Sequence, residues 1–423
     1  MGIFSGRRFF VYGNGISGKA ALRAVKRGGG KARMYSDDGD RFVAPRDIKY
    51  DGAIISPGIK PSHEVYAYCK SNGIKPMSEV DIGFALAKGR VTVGVTGTNG
   101  KTTVTRLIAK MLGGVACGNI GYPVSTAAVK SEKTGAPLVV ELSSFQLYNA
   151  EIAPSAAVIT NIVSDHLDWH GNVSEYCRCK CNIAKNMTGG TLVLGEDIAV
   201  GALYSLRTYA NILRCSTTGK VDGAYIEDGY FCFNGERVCP VDYLRLPGEH
   251  NLKNALCAIA AAASLGANGT TVRNALSTAA LDGHRIQDLG VECGKRWIDD
   301  SKGTNISACL AAVNATPGEL CLIVGGRAKD ADFSELFEKL DERVKSVVAM
   351  GESAQSVRDA AVKRGRVKNV VVVNDLEAAV EAAARQAEST VLLSPACSSF
   401  DEFDNYVARG ERFAALVSRL GKK

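Results

Sequence analysis

The chain has 423 residues, a formal net charge of +7, and 46% hydrophobic and 22% charged residues. This length predicts about three domains of typical size, and the composition is that of a soluble globular protein. We read the basic residues as scattered along the chain. Scattered basic residues disfavour a nucleic-acid partner and favour small, multiply charged anions as ligands.

The 13 cysteines are spread along the chain, and no secretory signal precedes them. This pattern predicts a reduced cytoplasmic protein rather than a disulfide scaffold. The stretch from Met1 to Arg8 is too short for a signal peptide and has no long apolar core. No apolar run approaches the roughly 20 residues that a membrane-spanning helix requires, so we expect no membrane partner.

The N-terminal region begins with a predicted strand, Phe9 to Tyr12, then the glycine turn Gly13 to Gly18 (GNGISG) and a predicted helix, Lys19 to Lys26. A second strand, Ala32 to Tyr35, leads to Asp37. This G-x-G-x-x-G pattern has two interpretations. It is either a nicotinamide dinucleotide site or a tight turn that only packs the helix on the strand.

A third strand begins at Ala53 and ends in the turn Ser56 to Gly58, at the same predicted edge of the sheet. Strand ends gathered at one edge of a parallel sheet form a crevice for a ligand. The strand-then-helix pattern continues to about Lys88 and predicts one small α/β domain. The stretch from Ala87 to Arg90 is then a linker to the next domain.

The segment Val91 to Thr103, VTVGVTGTNGKTT, has the order of a buried strand, a glycine turn and a helix start, and the helical pattern continues to Leu112. Glycines let backbone N–H groups approach phosphate oxygens. Lys101 suits the β- and γ-phosphates, and the Thr102 hydroxyl suits Mg²⁺. Val95 stands where the general P-loop pattern has its first glycine. The segment still predicts ATP binding.

Two acidic motifs follow the predicted phosphate loop. A predicted buried strand, Leu138 to Gln146, carries Glu141. A buried carboxylate is costly without a partner, so either a Lys or Arg pairs with it or it holds Mg²⁺, which we favour. After the strand Ala157 to Ile162, the segment Ser164 to His170 (SDHLDWH) places two histidines beside two acids. It predicts a metal or phosphate site, and a histidine that only caps or packs a turn is the alternative.

Three cysteines at alternate positions, Cys177, Cys179 and Cys181, invite a metal interpretation. We reject it, because on a helix they point in divergent directions and no second Cys or His pair has zinc spacing. Downstream, the polar segment Gly248 to Asn254 opens an alanine-rich helix, Ala255 to Leu265. Polar side chains at a helix start suit either a ligand or the helix cap.

After a boundary at Asp282 to Arg285, strands and helices alternate again. The predicted strands are Arg296–Asp300, Leu320–Val324, Val347–Met350, Val370–Val373 and Val391–Leu393. Three of the turns after these strands carry basic and hydroxyl residues, including Lys302, Lys329 and Ser399. Such residues at the carboxyl ends of parallel strands predict an anion site.

Seven motifs occur in the order found in the Mur ligases of peptidoglycan synthesis: TGTNGKTT, ELSSFQL, TNIVSDHLDWHG, GEHNLKNA, DGHR, DDSKGTN and LLSPACSSFDEF. The chain resembles this family from Gly13 to about Arg412, and its shortened phosphate loop agrees with the family's own form. The resemblance implies an α/β fold of three domains. These are a Rossmann-like N-terminal domain (1–88), a central P-loop-type ATPase domain (89–283) and a Rossmann-like C-terminal domain (284–423).

Within this family the chain looks most like the members that add D-glutamate to UDP-N-acetylmuramoyl-L-alanine, using ATP and two Mg²⁺ ions. The resemblance implies a nucleotide-sugar site made of Ile16, Ser17, Asp37, Pro57, Gly58 and Asn119. It implies D-glutamate binding by Thr304, Lys329, Ser399 and Tyr406. Ser36 and Asp38 stay open as alternatives to Asp37, and Tyr406 stands where Phe is also accepted. We expect a monomer.

The same resemblance implies ATP binding by Asn99, Gly100, Lys101, Thr102, Thr103, Asn251, Asn254, Arg285 and Asp300. It implies metal binding by Thr102, Glu141, His166 and a carbamylated Lys180. The implied catalytic residues are Lys101, His166, Lys180 and Lys302. Carbamylation turns a cation into an anionic oxygen ligand of the kind that Mg²⁺ prefers. A general base is the alternative role for His166.

Four other functions compete with this expectation. Folylpolyglutamate synthase has a related build, but the glycine-rich domain before the phosphate loop argues against it. Mur ligases that add L-alanine or a diamino acid are closer, although the Asp-Asn-Pro-Arg motif of the diamino-acid enzymes is missing from the sequence. A non-catalytic nucleotide switch and a nicotinamide-dependent oxidoreductase belong to other functional classes.

Overall fold

The computed structural model describes residues 2–45, 49–163, 165–280, 283–328, 332–367 and 369–421. Three β-sheets follow one another along the chain. Contacts divide the chain into two compact units. The first consists of residues 1–164, 169–245 and 251–279, and the second of residues 165–168, 246–250 and 280–423.

The first sheet has four parallel strands in the order β2-β1-β3-β4. Its elements are β1 (Arg8–Tyr12), α1 (Ile16–Arg27), β2 (Lys31–Tyr35), β3 (Gly52–Ile55), α2 (Glu64–Ser71), β4 (Pro76–Met77) and α3 (Glu79–Leu86). Alternation along β1 sends Phe9 and Val11 into the core beneath α1, and Phe10 and Tyr12 into the core on the other face. Both faces are therefore covered, as a parallel sheet requires.

The central sheet has nine strands in the order β13-β12-β11-β10-β9-β8-β5-β7-β6. The strands are β5 (Thr92–Thr96), β6 (Val115–Gly118), β7 (Leu138–Glu141), β8 (Ala156–Ile159), β9 (Thr191–Leu194), β10 (Asn211–Ser216), β11 (Gly223–Glu227), β12 (Tyr230–Phe233) and β13 (Glu236–Pro240). The helices are α4 (Lys101–Leu112), α5 (Val124–Lys130), α6 (Ser144–Leu147), α7 (Leu167–His170), α8 (Val173–Cys181), α9 (Glu249–Ser264) and α10 (Gly269–Ser277). Short 3₁₀ helices lie at Asn182–Ala184, Val200–Leu203 and Val241–Tyr243.

Strands β5 to β11 of the central sheet run parallel, and β11 to β13 form antiparallel hairpins. The two hairpin turns are Asp228-Gly229 and Asn234-Gly235, and all four residues have positive φ. Asp-Gly and Asn-Gly pairs are the residues that tight hairpin turns of this hand prefer. These two pairs therefore favour the hairpins that join β11, β12 and β13.

The third sheet has six strands in the order β14-β15-β19-β16-β17-β18, parallel except for the β14–β15 pair. Its strands are β14 (Gln287–Glu292), β15 (Lys295–Asp299), β16 (Leu320–Gly325), β17 (Val344–Met350), β18 (Asn369–Val372) and β19 (Thr390–Leu393). Its helices are α11 (Ile306–Ala315), α12 (Phe333–Lys339), α13 (Ala354–Arg364), α14 (Leu376–Ala384) and α15 (Tyr406–Leu420). Apolar clusters cover both faces of this sheet.

The α/β fold class with three largely parallel sheets is confirmed, and the three domain boundaries stay a prediction. One predicted strand was too long: β7 ends at Glu141, where we expected it to reach Gln146. The reason is a capping box, in which Ser143 accepts from the backbone N–H of Gln146 (3.2 Å) and the Gln146 amide accepts from the backbone N–H of Ser143 (2.9 Å). No helix in the described part of the chain is long and apolar enough to cross a lipid bilayer.

Candidate functional site

The loop between β5 and α4 has a backbone that two glycines make possible. Gly97 has φ +149° and Gly100 has φ +81°. A Cβ at Gly97 would overlap Thr160 Oγ1, and a Cβ at Gly100 would overlap Asn254 Oδ1. Only glycine therefore fits at either position without a shift of a neighbour, and the loop leads directly into the first residue of α4, Lys101.

The segment that follows β8 fixes this loop by hydrogen bonds. Asn99 donates its N–H to Asn161 Oδ1 (2.9 Å), and its carbonyl accepts from Thr160 Oγ1 (2.6 Å). Thr98 Oγ1 donates to the carbonyl of Val163 (2.9 Å) and accepts from the N–H of the same residue (3.0 Å). These hydrogen bonds hold the loop in one conformation, which suits a phosphate cradle at a helix start.

Two lysines converge on one carbonyl of the loop. Lys101 Nζ donates to the carbonyls of Gly97 (3.0 Å) and Thr98 (2.7 Å), and Lys180 Nζ donates to the carbonyl of Gly97 (2.7 Å). Lys180 is only 2% exposed, and its Nζ lies 4.5 Å from the centre of the Tyr176 ring. The Tyr176 hydroxyl lies 2.9 Å from Thr98 Oγ1. Positive charge is therefore concentrated at the loop, where a phosphate anion would be stabilised.

Glu141 ends β7 and is 3% exposed. Its Oε1 accepts from the Asn119 side-chain amide (2.9 Å), so its partner is neither the Lys nor the Arg that we considered. Its Oε2 has no hydrogen-bond partner among the described residues. A buried carboxylate oxygen without a partner is costly and fits a Mg²⁺ ligand. The described residues contain no cluster of three or more His, Cys, Asp or Glu suited to a metal.

The first two turns of α9 bring two buried amides to the phosphate loop. Asn254 Nδ2 donates to Asn251 Oδ1 (3.2 Å), and Asn254 lies directly against Gly100. Lys253, on another side of the helix, pairs with Asp197 (2.8 Å). The polar residues at this helix start were expected to serve either a ligand or the helix cap. The packing of Asn254 on the loop favours a role near a ligand.

The residues expected to meet the nucleotide sugar lie after the strands of the first sheet. Ile16 and Ser17 open α1 after β1, and Ile16 is 70% exposed. Asp37 follows β2, and Pro57 and Gly58 follow β3. These five residues therefore share the carboxyl edge of one parallel sheet, where such folds bind ligands. Asn119 follows β6 of the central sheet.

Asp37 is the best-fixed carboxylate at that edge. Its Oδ1 accepts from the Tyr12 hydroxyl (2.6 Å), and its Oδ2 lies 3.0 Å from His63 Nε2. His63 Nδ1 accepts the backbone N–H of Val65 (3.1 Å) as the cap of α2, so Nε2 carries the proton and donates to Asp37. The hydrogen bond from Tyr12 and then that from His63 lower the pKa of Asp37. Sequence reasoning missed Tyr12 and His63.

In the second unit, Asp300 follows β15 and is buried. Its Oδ2 accepts from Ser394 Oγ (2.7 Å), and its Oδ1 accepts the N–H of Ile286 (3.2 Å). Burial raises the pKa of Asp300 to about 7, although the Ser394 hydrogen bond and the charge of Arg285 oppose that rise. His284 Nδ1 lies 2.7 Å from Oδ2 of the neighbouring Asp299. The DGHR and DDSKGTN motifs thus meet in the structure.

The turn after Asp300 joins the start of α15. Lys302 Nζ lies 5.5 Å from the centre of the Tyr406 ring, and Ser301 Oγ donates to the Tyr406 carbonyl (2.8 Å). Thr304 follows in the same turn, and its N–H donates to the carbonyl of Lys302 (3.0 Å). Ser399 is buried in the loop after β19. Lys329 lies outside the described residues.

Arg409 is a buried residue that sequence reasoning missed, because an arginine in an amphipathic helix is normally assigned to the exposed face. Its Nε and Nη2 donate to Ser301 Oγ (3.0 Å) and to the carbonyls of Ser301 (2.9 Å) and Cys397 (3.1 Å). Burial lowers the pKa of Arg409 to about 10. It therefore ties the turn before Lys302 to the loop that contains Ser399.

The two histidines of the SDHLDWH segment differ in their surroundings. His166 has φ +55°, and its N–H donates to Asp165 Oδ1 (2.9 Å). His170 is buried, its ring stacks on Phe145, and its Nε2 lies 2.9 Å from Ser144 Oγ. The packing alternative thus describes His170. His166 belongs to the second unit and Lys180 to the first, so their joint role stays a prediction.

Comparisons with known proteins agree with these motifs. Residues 95–262 match the family model "Mur ligase middle domain", and residues 284–397 match "Mur ligase, glutamate ligase domain". The chain is 37% identical to a UDP-N-acetylmuramoylalanine–D-glutamate ligase of Enterococcus faecalis, over 88% of this chain and 84% of that protein. It is 38% identical to the enzyme of the same name from Rubrobacter xylanophilus, over 97% and 98% of the two chains.

The fold also resembles that of a solved structure. UDP-N-acetylmuramate-alanine ligase MurC from Thermotoga maritima superposes with a TM-score of 0.62 at 19% identity, covering 98% of this chain and 99% of that one. At this identity the likeness concerns the fold alone.

Proposed function

The chain belongs to the Mur ligase family, and from this premise we propose that it is an ATP-dependent ligase that joins D-glutamate to UDP-N-acetylmuramoyl-L-alanine. The observation that carries the proposal is near full-length identity of 37–38% to two relatives that bear the name of this reaction. The reaction belongs to the synthesis of peptidoglycan precursors. The glycine loop with its two convergent lysines supports the use of ATP.

The chemistry follows from the charges of the reactants. A carboxylate is a poor electrophile, so the alanyl carboxylate oxygen first attacks the γ-phosphorus of ATP, and ADP leaves. The resulting acyl phosphate has a reactive carbonyl carbon. The amine of D-glutamate attacks that carbon, a proton leaves the nitrogen, and inorganic phosphate departs with the C–O bonding electrons. The enzyme's task is to position three anionic reactants and to offset their charge.

We assign ATP binding to the loop from Asn99 to Thr103, with Asn251 and Asn254 toward the adenine. The hydrogen-bonded loop, the start of α4 and the contact of Asn254 with Gly100 support this assignment. From the C-terminal region, Arg285, Asp300 and Lys302 would serve ATP as well. Lys101 and Lys302 would offset the negative charge of the transferring phosphoryl group.

We assign one Mg²⁺ to Thr102 and Glu141, and a second to His166 and a carbamylated Lys180. When bound, Mg²⁺ would neutralise phosphate oxygens and hold them in position. The unpartnered Oε2 of Glu141 supports the first assignment. The burial of Lys180 beside the Gly97 carbonyl supports the second. Carbamylation would join carbon dioxide to the Lys180 nitrogen, forming an N–C bond and releasing one proton.

The other two substrates would bind at strand ends. The nucleotide sugar would take Ile16, Ser17, Asp37, Pro57, Gly58 and Asn119. D-glutamate would take Thr304, Lys329, Ser399 and Tyr406. The fixed orientation of the Asp37 carboxylate supports its choice over Ser36 and Asp38, because a carboxylate that is already oriented recognises a ligand at a lower entropic cost.

The test is phosphate release by the purified chain with ATP, Mg²⁺, the UDP-sugar and an amino acid. We expect turnover only when all three organic substrates are present and only with D-glutamate. The panel should include L-glutamate, L-alanine and a diamino acid, with UDP-N-acetylmuramic acid and a folate as alternative acceptors. If the chain prefers another combination of acceptor and amino acid from this panel, it is a different ligase of the same fold. Phosphate release without any amino acid would contradict the proposal in favour of a nucleotide switch.

We further propose that the enzyme acts as a monomer in the cytoplasm. All 13 cysteines are free thiols, as a reducing compartment favours. Light scattering after size exclusion would test the first point, with a mass near 44.7 kDa as the expected result. A dimer mass at the concentration used for turnover would contradict it.

A further inference from the structure

The positive charge of the chain is concentrated at one end. Residues 1–36 contain eight basic and no acidic residues, so the other 387 residues together carry a formal charge of −1. The reading of the basic residues as scattered was therefore wrong for this segment. It forms β1, α1 and β2, so this charge is gathered on one corner of the first sheet.

A cavity of about 510 Å³ lies in this corner. Four cationic side chains line it: Arg8, Lys26, Lys31 and Arg33. The buried rings of Phe9 and Tyr50 line it as well. The volume is within the range of small-molecule sites, which is about 300–1,000 Å³.

The cavity lies away from the strand ends assigned to the nucleotide sugar. Arg8 and Lys31 are the first residues of β1 and β2 and are directly paired in the sheet. The candidate nucleotide-sugar residues follow the last residues of the same strands. A strand of five residues spans roughly 15 Å, so one ligand of ordinary size does not occupy both ends. The cavity is therefore a separate site.

The four cations have no charge partner in the part of the chain that the structure describes, because none of them makes an ion pair or a side-chain hydrogen bond there. The nearby carboxylate of Asp51 accepts the backbone N–H of Arg8 (2.7 Å) rather than its guanidinium. Like charges around a concave wall of low dielectric focus a positive potential, which attracts an anion. The donors of Arg8 and Arg33 suit phosphate oxygens in particular.

We propose that this cavity binds a compact polyanion that carries two or more phosphate groups, either a free oligophosphate or the phosphate chain of a nucleotide. The site is independent of the proposed reaction. Four cations match the three to five charges of such ligands. The concave shape and the volume of the cavity favour a small molecule over a nucleic acid, which would need an extended charged surface.

The experiment uses the full chain with Lys101→Ala, which removes the lysine of the catalytic phosphate loop. Inorganic tripolyphosphate is titrated calorimetrically into this protein and into the same protein with Arg8→Glu and Arg33→Glu. The matched control carries Lys70→Glu and Lys133→Glu instead, two exposed lysines of the same unit. We expect at least tenfold weaker binding in the first pair and less than a twofold change in the control.

Equal affinity in all three proteins, or equal loss in both charge-reversed proteins, would overturn the proposal. The milder pair Arg8→Gln and Arg33→Gln should give an intermediate loss, and urea unfolding midpoints check that each variant is folded. ATP and UTP in the same titrations separate the two sources of the ligand. Nucleotides that bind tighter than tripolyphosphate, through Arg8 and Arg33, indicate a nucleotide site; equal affinities indicate recognition of the phosphate chain alone.

Discussion

Gly100→Ala perturbs the phosphate loop where it enters α4. Gly100 directly precedes α4 with φ +81° and ψ −14°, where a residue with a Cβ is strained. A Cβ at this position would fall on Asn254 Oδ1, far inside the 3.0 Å that real Cβ atoms keep. The substitution therefore combines backbone strain with the displacement of a buried amide.

The magnitude follows from these two effects. A left-handed conformation costs a residue with a side chain roughly 1–2 kcal/mol. Asn254 is buried and hydrogen-bonded to Asn251, and overpacking at such a position costs about 1–3 kcal/mol. We expect Gly100→Ala to lower the free energy of unfolding by about 2–5 kcal/mol. Gly113→Ala is the matched control, because Gly113 ends the same helix with φ +61° and open space around its Cβ position.

The assay is urea unfolding of the full chain followed by circular dichroism, together with the affinity for ATP. Gly113→Ala should lose only the backbone part, about 1–2 kcal/mol, and should keep its ATP affinity. Adding Asn254→Ala to Gly100→Ala should recover part of the lost stability, because the overlapping atom is gone. Two results would contradict this reasoning. One is that Gly100→Ala is no less stable than Gly113→Ala. The other is that Asn254→Ala lowers the stability of Gly100→Ala by as much as it lowers that of the unmodified chain.

Three further predictions concern buried charges. Folding raises the pKa of Asp300 from 3.8 to about 7. Between these two pH values the folded chain holds a proton that the unfolded chain has lost. The free energy of unfolding therefore falls as the pH rises through this range, by up to about 4 kcal/mol. Asp300→Asn should reduce the stability loss between pH 5 and pH 8 in urea unfolding, and an unchanged pH profile would contradict this. Glu141→Gln should abolish the thermal stabilisation by Mg²⁺, whereas Asn119→Ala should retain it; persistence of the shift in Glu141→Gln would exclude that carboxylate as a ligand. Lys180→Ala should lower turnover at least 100-fold, and short carboxylic acids should restore part of it; full activity without them would refute the carbamate.

The sequence predicted what depends on local chemistry. The strand–glycine–helix order at Gly97 to Lys101 follows from β-branched residues, conformationally free glycines and helical periodicity, all of which are visible within about fifteen residues. The alternation of strands and helices in the first and third sheets was predicted for the same reason. The end of β7 was predicted too late because the apolar run was read as one strand. The S-x-x-Q capping box at Ser143 is a local signal of the helix start that ends this strand.

Polar partnerships between distant residues could not be predicted in this way. Lys180 reaches the carbonyl of Gly97 across 83 residues, and Ser394 reaches Asp300 across 94. Both depend on which strands become neighbours in the sheet, and neither periodicity nor propensity encodes that order. Tyr176 is an intermediate case, since it lies four residues before Lys180 and shares its face of α8.

Glu141 and Asp300 are two buried carboxylates whose cost to stability points to a use in the reaction. Each is a buried carboxylate at the end of a parallel strand, in a different unit, and each relies on a neutral partner, the Asn119 amide or the Ser394 hydroxyl. For stability alone, a neutral amide would serve better at both positions, because moving a carboxylate out of water is costly. A carboxylate that lowers stability in this way is expected where its charge takes part in the function. Such places lie near a metal ion, a triphosphate or a group that transfers a proton. Replacing both with amides should therefore give a more stable chain above pH 7 that has lost its reaction.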